Sequence, residues 1–456
     1  MAQGQAGAPS EAVAHYHELL NDGHWESTYE LVTQGGKERQ LRSYGKPIAS
    51  CLRPYFMDPE AYASLQRAAS LVQRAVVTLG QRIIEDATLR RRLRLTPDED
   101  ERVTLEAKPV EPYARLDGFT GKDGIVRFLE YNSIPAGPHL MHRIGQLFDE
   151  LPIMAEFRKR YRTHYIETEQ RFVPACVRAH RQRGGTGLPN VGVVASGGAF
   201  SSDINQVWSE HIFMMQAAME ANLAVRLLEP ESVEYRNGRL YSGDFAIDCI
   251  TYLDYPDFLR AFPMSHPLWR AIREGSSYFL GSFALTTARG NKALFALLTD
   301  PEIVATLEPE VREAVVRHVP WTRVIEEGRT EYDGNQVDLL PFIAKHRERF
   351  ALKPTNVEGG KGVVLGWQCD EGTWETALSR ALGSAHVVQE RIYPGRATYP
   401  SVHDGKLVFT ERNEDCNPFL WNEAEVEGCF VRLSASEMLN LQQDGTLAPL
   451  FLVRAA

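Results

Sequence analysis

The chain has 456 residues, of which 43% are hydrophobic, 24% charged and 10% aromatic, a composition typical of a folded protein of two or three domains and unlike that of disordered or fibrous proteins. Its formal net charge of −10 argues against general binding to nucleic acid or to an anionic membrane. The sequence has no long apolar run and begins without the charge and apolar stretch of a signal peptide, so we expect a cytoplasmic protein that does not cross a membrane. The six scattered cysteines form no Cys-x-x-Cys pair and predict reduced, mostly buried thiols.

Helical patterns dominate the first part of the chain. A helix is predicted to begin at Ser10, and apolar residues recur at three- and four-residue steps from about Pro59 to Leu95, which indicates a long amphipathic helix. The arginines near the end of this pattern are expected to form a solvated helix end, because positive charge is favoured there. These are Arg90, Arg91, Arg92 and Arg94. We therefore predict an N-terminal helical region over residues 1–105.

Two short strands are predicted next, around Ala114–Phe119 and Ile125–Tyr131, joined by the turn Gly121-Lys122-Asp123-Gly124. A helical stretch is expected from His139 to about His180. Together these elements form a second predicted unit, residues 106–185, which ends in a glycine-rich linker.

Residues 186–280 alternate between strand and helix patterns, with strands expected at 191–194, 224–228 and 250–253 and a helix at 202–221. This pattern predicts a small α/β substrate domain. Ser196 follows the first of these strands, at the position where such domains bind ligands, and is a candidate substrate contact. The last predicted unit, residues 281–456, combines helices at 291–298 and 309–318 with strands at 350–353, 363–366, 387–392 and 406–410.

Two polar pairs on the predicted hairpin are the most informative residues. Arg115 and Asp117 lie two positions apart, as do Glu130 and Asn132, so each pair lies on one face of its strand. Antiparallel pairing can therefore gather an arginine, two carboxylates and an amide oxygen in one place. Oxygen ligands of this kind suit Mg²⁺ that is shared with substrate phosphates. The alternative is that they are surface charges of the hairpin, paired with Arg115.

A lysine and a glycine-rich turn form a second motif. An apolar strand ends at Lys353 and is followed by Gly359, Gly360 and Gly362, which supply an ammonium group and exposed backbone N–H groups suited to a flexible flap over a triphosphate. Lys292 lies at a predicted helix start, where the helix dipole disfavours a cation, and so indicates an anionic ligand. An ordinary hairpin can also carry glycines and a lysine.

A third motif lies on the strand that begins at His386. Its polar residues interrupt a β-branched run and are suited to hydrogen bonding with the edge of an adenine ring, although a buried strand with polar surface residues explains them equally well. The residues concerned are Gln389, Glu390, Arg391 and Ile392.

Together these motifs resemble the ATP-grasp superfamily of carboxylate–amine ligases. In ordinary members the lysines, flap and adenine-binding strand precede the Arg-x-Asp and Glu-x-Asn strands. Here the strand pair at 115–132 comes first, as in the circularly permuted branch that includes eukaryotic glutathione synthetase and resembles the glutathionylspermidine synthetase domain. The resemblance spans roughly residues 105–456 and implies a circularly permuted ATP-grasp fold of the α/β (α+β) class.

The resemblance also implies roles for individual residues. It implies that Arg115 lies beside the transferred phosphoryl group and acts in catalysis, and that Mg²⁺ is held by Asp117, Glu130 and Asn132. ATP would be bound by Lys292, Lys353, Gly359, Gly360, Gly362 and Gln389 to Ile392, and substrate by Arg432. Glu358 comes one residue later after the flap lysine than in glutathione synthetase, and roles for Glu411, Asn413 and Glu414 stay open.

The activity implied is an ATP- and Mg²⁺-dependent ligase that joins a small-molecule carboxylate to an amine through an acyl phosphate and releases ADP and phosphate. A kinase on the same scaffold and a nucleotide-binding protein without catalysis are the alternatives. The sequence leaves the identities of the acid and the amine open, and the oligomeric state as well.

Overall fold

The computed structural model describes residues 10–43, 46–106, 108–133, 135–194, 209–252, 262–357, 359–439, 441 and 445–456. Helices and several β-sheets pack around one large and two smaller apolar cores, and the predicted mixed α/β class is confirmed. All six cysteines are free thiols, and only Cys369 is partly exposed. In the described part of the chain, no helix is long and apolar enough to cross a bilayer.

The predicted long helix ends earlier than its apolar pattern suggests. It spans Pro59–Glu85 and begins where the Asp58 carboxylate accepts the backbone N–H groups of Glu60 and Ala61, a cap that satisfies donors left free at a helix start. Asp86 takes an extended conformation and caps a separate short helix, Ala87–Arg92. One predicted helix is therefore two.

The arginines lie in the last turn of the helix Ala87–Arg92 and just after it, and all but Arg90 are exposed, so the predicted helix end is confirmed for three of the four. Arg90 is buried and donates to Asp100 at 2.7 Å, while Arg92 and Arg94 form ion pairs with Asp300 and Glu326 on distant parts of the chain. Arg91 is exposed and makes no such long-range contact among the described residues. Its guanidinium donates a hydrogen bond to the neighbouring Thr88 hydroxyl. The other three connect this corner to other elements, which the local charge pattern could not reveal.

A six-stranded antiparallel sheet, here called the central sheet, joins the predicted hairpin to the last part of the chain. Its strands in spatial order are Thr446–Leu447, Glu425–Ser434, Lys406–Trp421, Tyr113–Thr120 and Val126–Ser133, and Gly395–His403 pairs with Lys406–Trp421. Both strands of the predicted hairpin are confirmed. The strand predicted at 406–410 is much longer than expected.

A four-stranded antiparallel sheet, here called the lysine sheet, carries Lys353. Its strands in spatial order are Thr322–Val324, His386–Glu390, Phe350–Pro354 and Val364–Leu365. A helix, Glu371–Leu382, buries Trp374 and Leu378 in the core beside this sheet. The strands predicted at 350–353, 363–366 and 387–392 are confirmed to within two residues at each end.

The region predicted as a small α/β unit contains a parallel four-stranded sheet. Its strands in spatial order are Tyr278–Phe279, Cys249–Tyr252, Val191–Val194 and Val225–Leu228. A three-stranded antiparallel sheet (Phe245–Ile247, Arg239–Ser242 and Val233–Arg236) follows in the same region. The predicted helix is described from Ser209 to Glu220, and Ser196 lies outside the described residues.

The helix expected from His139 to His180 is wrong in its middle. Helices span Pro138–Asp149, Pro152–Phe157 and Glu169–Gln182, but Tyr161–Tyr165 is a strand that pairs antiparallel with the C-terminal strand Leu450–Ala455. That strand in turn pairs with Tyr55–Met57. The strand conformation depends on pairing with a segment almost 300 positions later in the sequence. Local periodicity gives no information about such a partner.

The remaining elements are short or peripheral. Helices span Ser10–Leu19, Trp25–Glu38 (after a π-helical turn at Leu20–His24), Pro97–Val103, Pro267–Glu274, Phe283–Arg289, Ala293–Leu298, Pro301–Val304, Pro309–His318 and Leu339–Lys345, with 3₁₀ turns at Pro230–Ser232 and Arg347–Arg349. Two-residue strands at Arg42–Ser43 and Lys46–Pro47 and a hairpin of Arg329–Tyr332 and Asn335–Asp338 complete the described elements.

Candidate functional site

The register of the hairpin brings the predicted polar residues together. Arg115 lies opposite Asn132 and Asp117 opposite Glu130. The register then shifts so that Gly118 faces Phe128, and Leu129 has no partner on the neighbouring strand. Such a bulge re-aims side chains.

Because of the bulge, Phe128 and Tyr131, three positions apart, both enter the apolar core, while Glu130 and Asn132 are partly exposed. Gly118 makes the bulge sterically feasible, since a Cβ atom there would lie 2.2 Å from the Arg127 carbonyl oxygen. The four polar residues therefore lie close together, as predicted. The bulge that brings this about is not part of the regular strand alternation on which the prediction is based.

Asp117 is held by two arginines. Arg115 donates Nε to Oδ1 at 2.5 Å and Nη2 to Oδ2 at 2.9 Å, and Arg432 donates Nη2 to Oδ2 at 3.0 Å. Asp117 is 3% exposed. Both of its carboxylate oxygens therefore already accept charge-assisted hydrogen bonds.

Arg432 is in turn held by Asp415 on the neighbouring strand. Its Nε donates to Asp415 Oδ2 at 2.8 Å, and its backbone N–H donates to Oδ1 at 2.9 Å. Burial raises the pKa of Asp415, against the effect of the Arg432 charge. The motif analysis missed Asp415, which alternates with Asn413 and Asn417 on a strand that carries several other charged residues, so the sequence holds no signal that singles it out.

Two lysines approach the hairpin from other elements. Lys292 precedes the helix Ala293–Leu298, as predicted, and its Nζ lies 3.3 Å from Glu130 Oε2 and donates to the Val357 carbonyl at 3.0 Å. Lys353 donates from Nζ to Gln389 Oε1 at 2.6 Å. Burial lowers the pKa of Lys353 to about 8, with Glu130 opposing the shift and Lys292 adding to it.

Gln389 connects the lysine sheet to the hairpin. It is 2% exposed, accepts from Lys353, and donates from Nε2 to the carbonyl of the bulged Leu129 at 3.2 Å and to Thr322 Oγ1 at 3.1 Å. Both ends of its amide are therefore satisfied. Through this contact, the bulge and Lys353 share one hydrogen-bond network.

The other residues predicted to line an adenine pocket lie around Gln389 in different environments. Glu390 accepts from the Tyr332 hydroxyl at 2.5 Å, and Ile392 is half-buried. Arg391 donates to both carboxylate oxygens of Glu437 at 3.1 Å, and its guanidinium lies 4.2 Å from the centre of the Trp367 ring. The Arg391 side chain therefore bridges the segments that carry Trp367 and Glu437.

The glycine-rich turn after Lys353 has the backbone expected of it. Gly359, Gly360 and Gly362 have φ angles of +68°, +72° and +76°, a left-handed conformation that side-chain-bearing residues rarely adopt. Met438 Sδ would lie 3.2 Å from a Cβ atom on Gly360. Glu358 lies outside the described residues.

Some of the residues left open by the sequence lie outside this cluster. Glu411 is exposed and pairs with Arg396 at 2.9 Å. Glu414 accepts from the Tyr399 hydroxyl at 2.9 Å, and burial raises its pKa to about 7. Strand alternation places Glu414 on the face opposite to Asp415. Asn413 is buried and donates to the Ala435 carbonyl at 3.2 Å.

The cluster as a whole favours an anionic ligand. Its four cations are Arg115, Lys292, Lys353 and Arg432, and its three carboxylates are Asp117, Glu130 and Asp415, so the formal charge is +1. A cleft of about 940 Å³ lies elsewhere, between the helix Pro59–Glu85, the turn of the hairpin and the helix Pro309–His318. The site is therefore marked by its charges and not by this cleft.

The donor set fits Mg²⁺ at two of the three predicted ligands. Among the described residues no three His, Cys, Asp or Glu side chains form a metal-binding group. Glu130 is partly exposed, and the buried amide nitrogen of Asn132 has no hydrogen-bond partner in the described part of the chain, so no such bond prevents the amide from turning its oxygen to a cation. Asp117 could join them only by giving up a hydrogen bond to arginine.

Comparison with protein-family models and with curated proteins gives no match to the sequence. The fold is similar to that of a glutathione synthetase-like effector from Globodera pallida in its apo form, with a TM-score of 0.64 and 12% sequence identity over 94% of this chain and 96% of that one. The chain has a glutathione synthetase-like fold. A structure named putative gamma-glutamylcysteine synthetase, from Methylobacillus flagellatus, is 13% identical over 83% of this chain and 88% of that one, with a TM-score of 0.43.

Proposed function

We propose that the protein is an ATP- and Mg²⁺-dependent carboxylate–amine ligase with a circularly permuted ATP-grasp core. The observation that carries the proposal is the convergence of Lys292, Lys353, Arg115 and Arg432 on the strand that presents Glu130 and Asn132. The glutathione synthetase-like fold supports it. Asp117 and Asp415 pair with the two arginines, and a binding site for uncharged ligands would not need two further lysines beside the partly exposed Glu130.

The chemistry needs charge neutralisation more than acid–base groups. A carboxylate and the γ-phosphoryl group of ATP are both anionic, and Lys292, Lys353 and Arg115 supply positive charge where they meet. Bound Mg²⁺ would add further charge stabilisation as a Lewis acid. The carboxylate attacks the γ-phosphorus of ATP, which gives an acyl phosphate and releases ADP. The amine then attacks the acyl carbon, which gives the amide and releases phosphate and a proton.

The residues predicted from the sequence have the following roles in this proposal. Glu130 and Asn132 are the principal metal ligands, Asp117 orients Arg115 and is the third ligand where an arginine releases it, and Arg432 binds the acceptor substrate. Gln389 to Ile392, with the glycine turn at 359–362, bind the nucleotide, Gln389 by its side chain and Arg391 by its backbone. Ser196 as a substrate contact, the domain boundaries near 105, 185 and 280, and the cytoplasmic location stay predictions.

Trapping with hydroxylamine tests the reaction class. The protein is incubated with Mg²⁺, ATP and pooled carboxylic acids, with and without pooled amines, and ADP release is followed together with mass spectrometry of the products. A ligase forms a hydroxamate when hydroxylamine replaces the amine. A stable phosphorylated product with no hydroxamate would indicate the kinase, and ATP binding with no ADP release under any condition would indicate a protein that only binds nucleotide.

A further inference from the structure

A buried ion pair lies behind the hairpin, on the side away from the lysines. Arg289 Nη1 donates to Glu111 Oε2 at 2.6 Å, and both side chains are 2% exposed. The same Nη1 also donates to Glu423, which is partly exposed. The Arg289 side chain crosses the long helix at Gly80, where a Cβ atom would lie 2.7 Å from Arg289 Cγ.

Glu111 is hydrogen-bonded to the strand that carries the candidate metal ligands. It accepts hydrogen bonds from the hydroxyls of Tyr131, at 2.5 Å, and Ser133. Tyr131 and Ser133 alternate with Glu130 and Asn132, and successive side chains of a strand point to opposite faces. The contacts of Glu111 therefore fix, from behind, the stretch of backbone that presents Glu130 and Asn132.

Arg289 also lies at the start of the segment that presents Lys292. It ends the helix Phe283–Arg289, and Lys292 follows after two residues. Both residues are tied by hydrogen bonds, because the Gly290 N–H donates to the Thr286 carbonyl at 2.9 Å within the turn that ends at Arg289, and Asn291 donates to the Leu93 carbonyl at 3.1 Å and accepts from the Ala293 N–H at 2.8 Å. The segment has little freedom to move independently of Arg289.

We propose that Arg289 is a positioning residue that, through Glu111, sets the separation between Lys292 Nζ and Glu130 Oε2 and thereby the affinity for Mg²⁺ and ATP. The inference rests on the proposed function. One ion pair connects the two elements that carry the opposite charges of the site, so a change at Arg289 moves Lys292 and Glu130 relative to each other. A single nitrogen, Nη1, donates to both Glu111 and Glu423, and a lysine ammonium lies one atom closer to the backbone on a flexible stem, so Arg289→Lys would not hold both carboxylates in the same place.

A purely structural role is the competing explanation, because disturbing one partner of a buried ion pair leaves a poorly compensated buried charge and destabilises the fold. Arg102 offers a matched control. It is also buried, pairs with Asp98 at 3.0 Å and lies 4.7 Å from the centre of the Trp269 ring, away from Glu111. Arg102→Lys makes the same chemical change at similar burial without touching the hairpin.

The experiment titrates Mg²⁺ at fixed ATP and follows the thermal midpoint of the wild type, Arg289→Lys, Tyr131→Phe and Arg102→Lys proteins. Partners that orient ligand-bearing groups typically contribute about 10- to 100-fold in metal affinity, so we expect the Mg²⁺ half-saturation of Arg289→Lys to rise by that factor. Tyr131→Phe, which keeps the ion pair, should show a smaller rise and serves if Arg289→Lys does not fold. Arg102→Lys should lower the midpoint without changing half-saturation.

The outcomes separate the inference from the function beneath it. A wild-type protein that shows no Mg²⁺-dependent ATP binding would overturn the proposed function, and the inference with it. Normal binding by the wild type, with unchanged half-saturation in Arg289→Lys or, should that variant not fold, in Tyr131→Phe, would overturn the positioning role alone. An equal rise in Arg102→Lys would also overturn that role, because the effect would then follow from general destabilisation.

Discussion

Glu130 is ionised at any ordinary pH, although most of its side chain is shielded from solvent. Burial alone would raise the pKa of its carboxyl group, but the positive charges of Lys292, Lys353 and Arg432 outweigh that effect and hold the pKa at about 2. Asp117 forms ion pairs with two arginines, Arg115 and Arg432, both at hydrogen-bond distance. Glu130, by contrast, has a single ion-pair partner among the described residues, Lys292 at 3.3 Å, and so retains capacity for a cation.

Replacement of Glu130 by glutamine should abolish turnover and leave the fold intact. Glutamine keeps the size of the side chain but removes its negative charge, and the loss of one oriented electrostatic contribution typically costs about 10²- to 10³-fold in rate. ATP turnover and circular dichroism measure the two expectations. Arg91→Ala, on the exposed helix end, is the control and should be near wild type. Near wild-type turnover in a folded Glu130→Gln protein would show that the active site is not at this hairpin.

Deprotonation of Lys353 should make ATP binding weaker at higher pH. Burial lowers its pKa to about 8, so the ammonium carries its charge below that pH and loses it above. ATP affinity should therefore weaken as the pH rises through about 8, by about fivefold at most from pH 8 to pH 9, because the protonated fraction of a group with a pKa of about 8 falls by that factor over this interval. Lys353→Arg stays charged and should bind ATP with little pH dependence. Isothermal titration at several pH values measures both, and parallel profiles would rule out Lys353 as the titrating group.

At the scale of secondary structure, the bulge at Leu129 decides which side chains reach the site. It requires Gly118, whose missing Cβ leaves room for the Arg127 carbonyl oxygen. The unpaired Leu129 carbonyl accepts instead from Gln389. One irregularity thus aims Glu130 and also connects the hairpin to the lysine sheet.

Gly118→Ala should therefore reduce both stability and activity. The added methyl group would lie 2.2 Å from a backbone oxygen, and relieving such a clash costs about 1–3 kcal/mol and shifts the strand that carries Glu130. Gly372→Ala is the control, because the nearest atom to its added Cβ is 3.9 Å away. Urea unfolding and ATP turnover give the two readouts. A Gly118→Ala protein as stable as the control would mean that the hairpin can adopt another register at no cost.

The hairpin, its polar residues and the two lysines could be predicted because period-two alternation and turn chemistry are local properties. Asp415 could not be recognised as part of the site, since its role depends on the antiparallel register that places it opposite Arg432. The strand Tyr161–Tyr165 was mistaken for helix for a similar reason, because its partner is the C-terminal strand. Sequence patterns also gave no sign of the bulge, whose cause is a close approach between two backbones.

At the scale of the whole molecule, the candidate site is assembled from segments far apart in sequence. The central sheet joins the hairpin to strands more than 250 positions later, and a mixed three-stranded sheet joins Tyr55–Met57, Tyr161–Tyr165 and Leu450–Ala455. Residues of the cluster come from the hairpin, from the segment at Lys292, from the lysine sheet and from the late strands. Unfolding of any of these would disperse the charges that bind the ligand.

Binding of Mg²⁺ and ATP together should therefore stabilise the entire chain. A ligand that binds only the native state adds about 2.7 kcal/mol at a concentration of 100 times its dissociation constant, which a thermal melt detects as a rise in midpoint. Because Glu130 and Asn132 offer oxygen ligands for Mg²⁺, the rise should require both components and should disappear in EDTA or in Glu130→Gln. If EDTA left the ATP-induced rise unchanged, ATP would bind through the lysines and arginines alone, and Glu130 would have no role as a metal ligand.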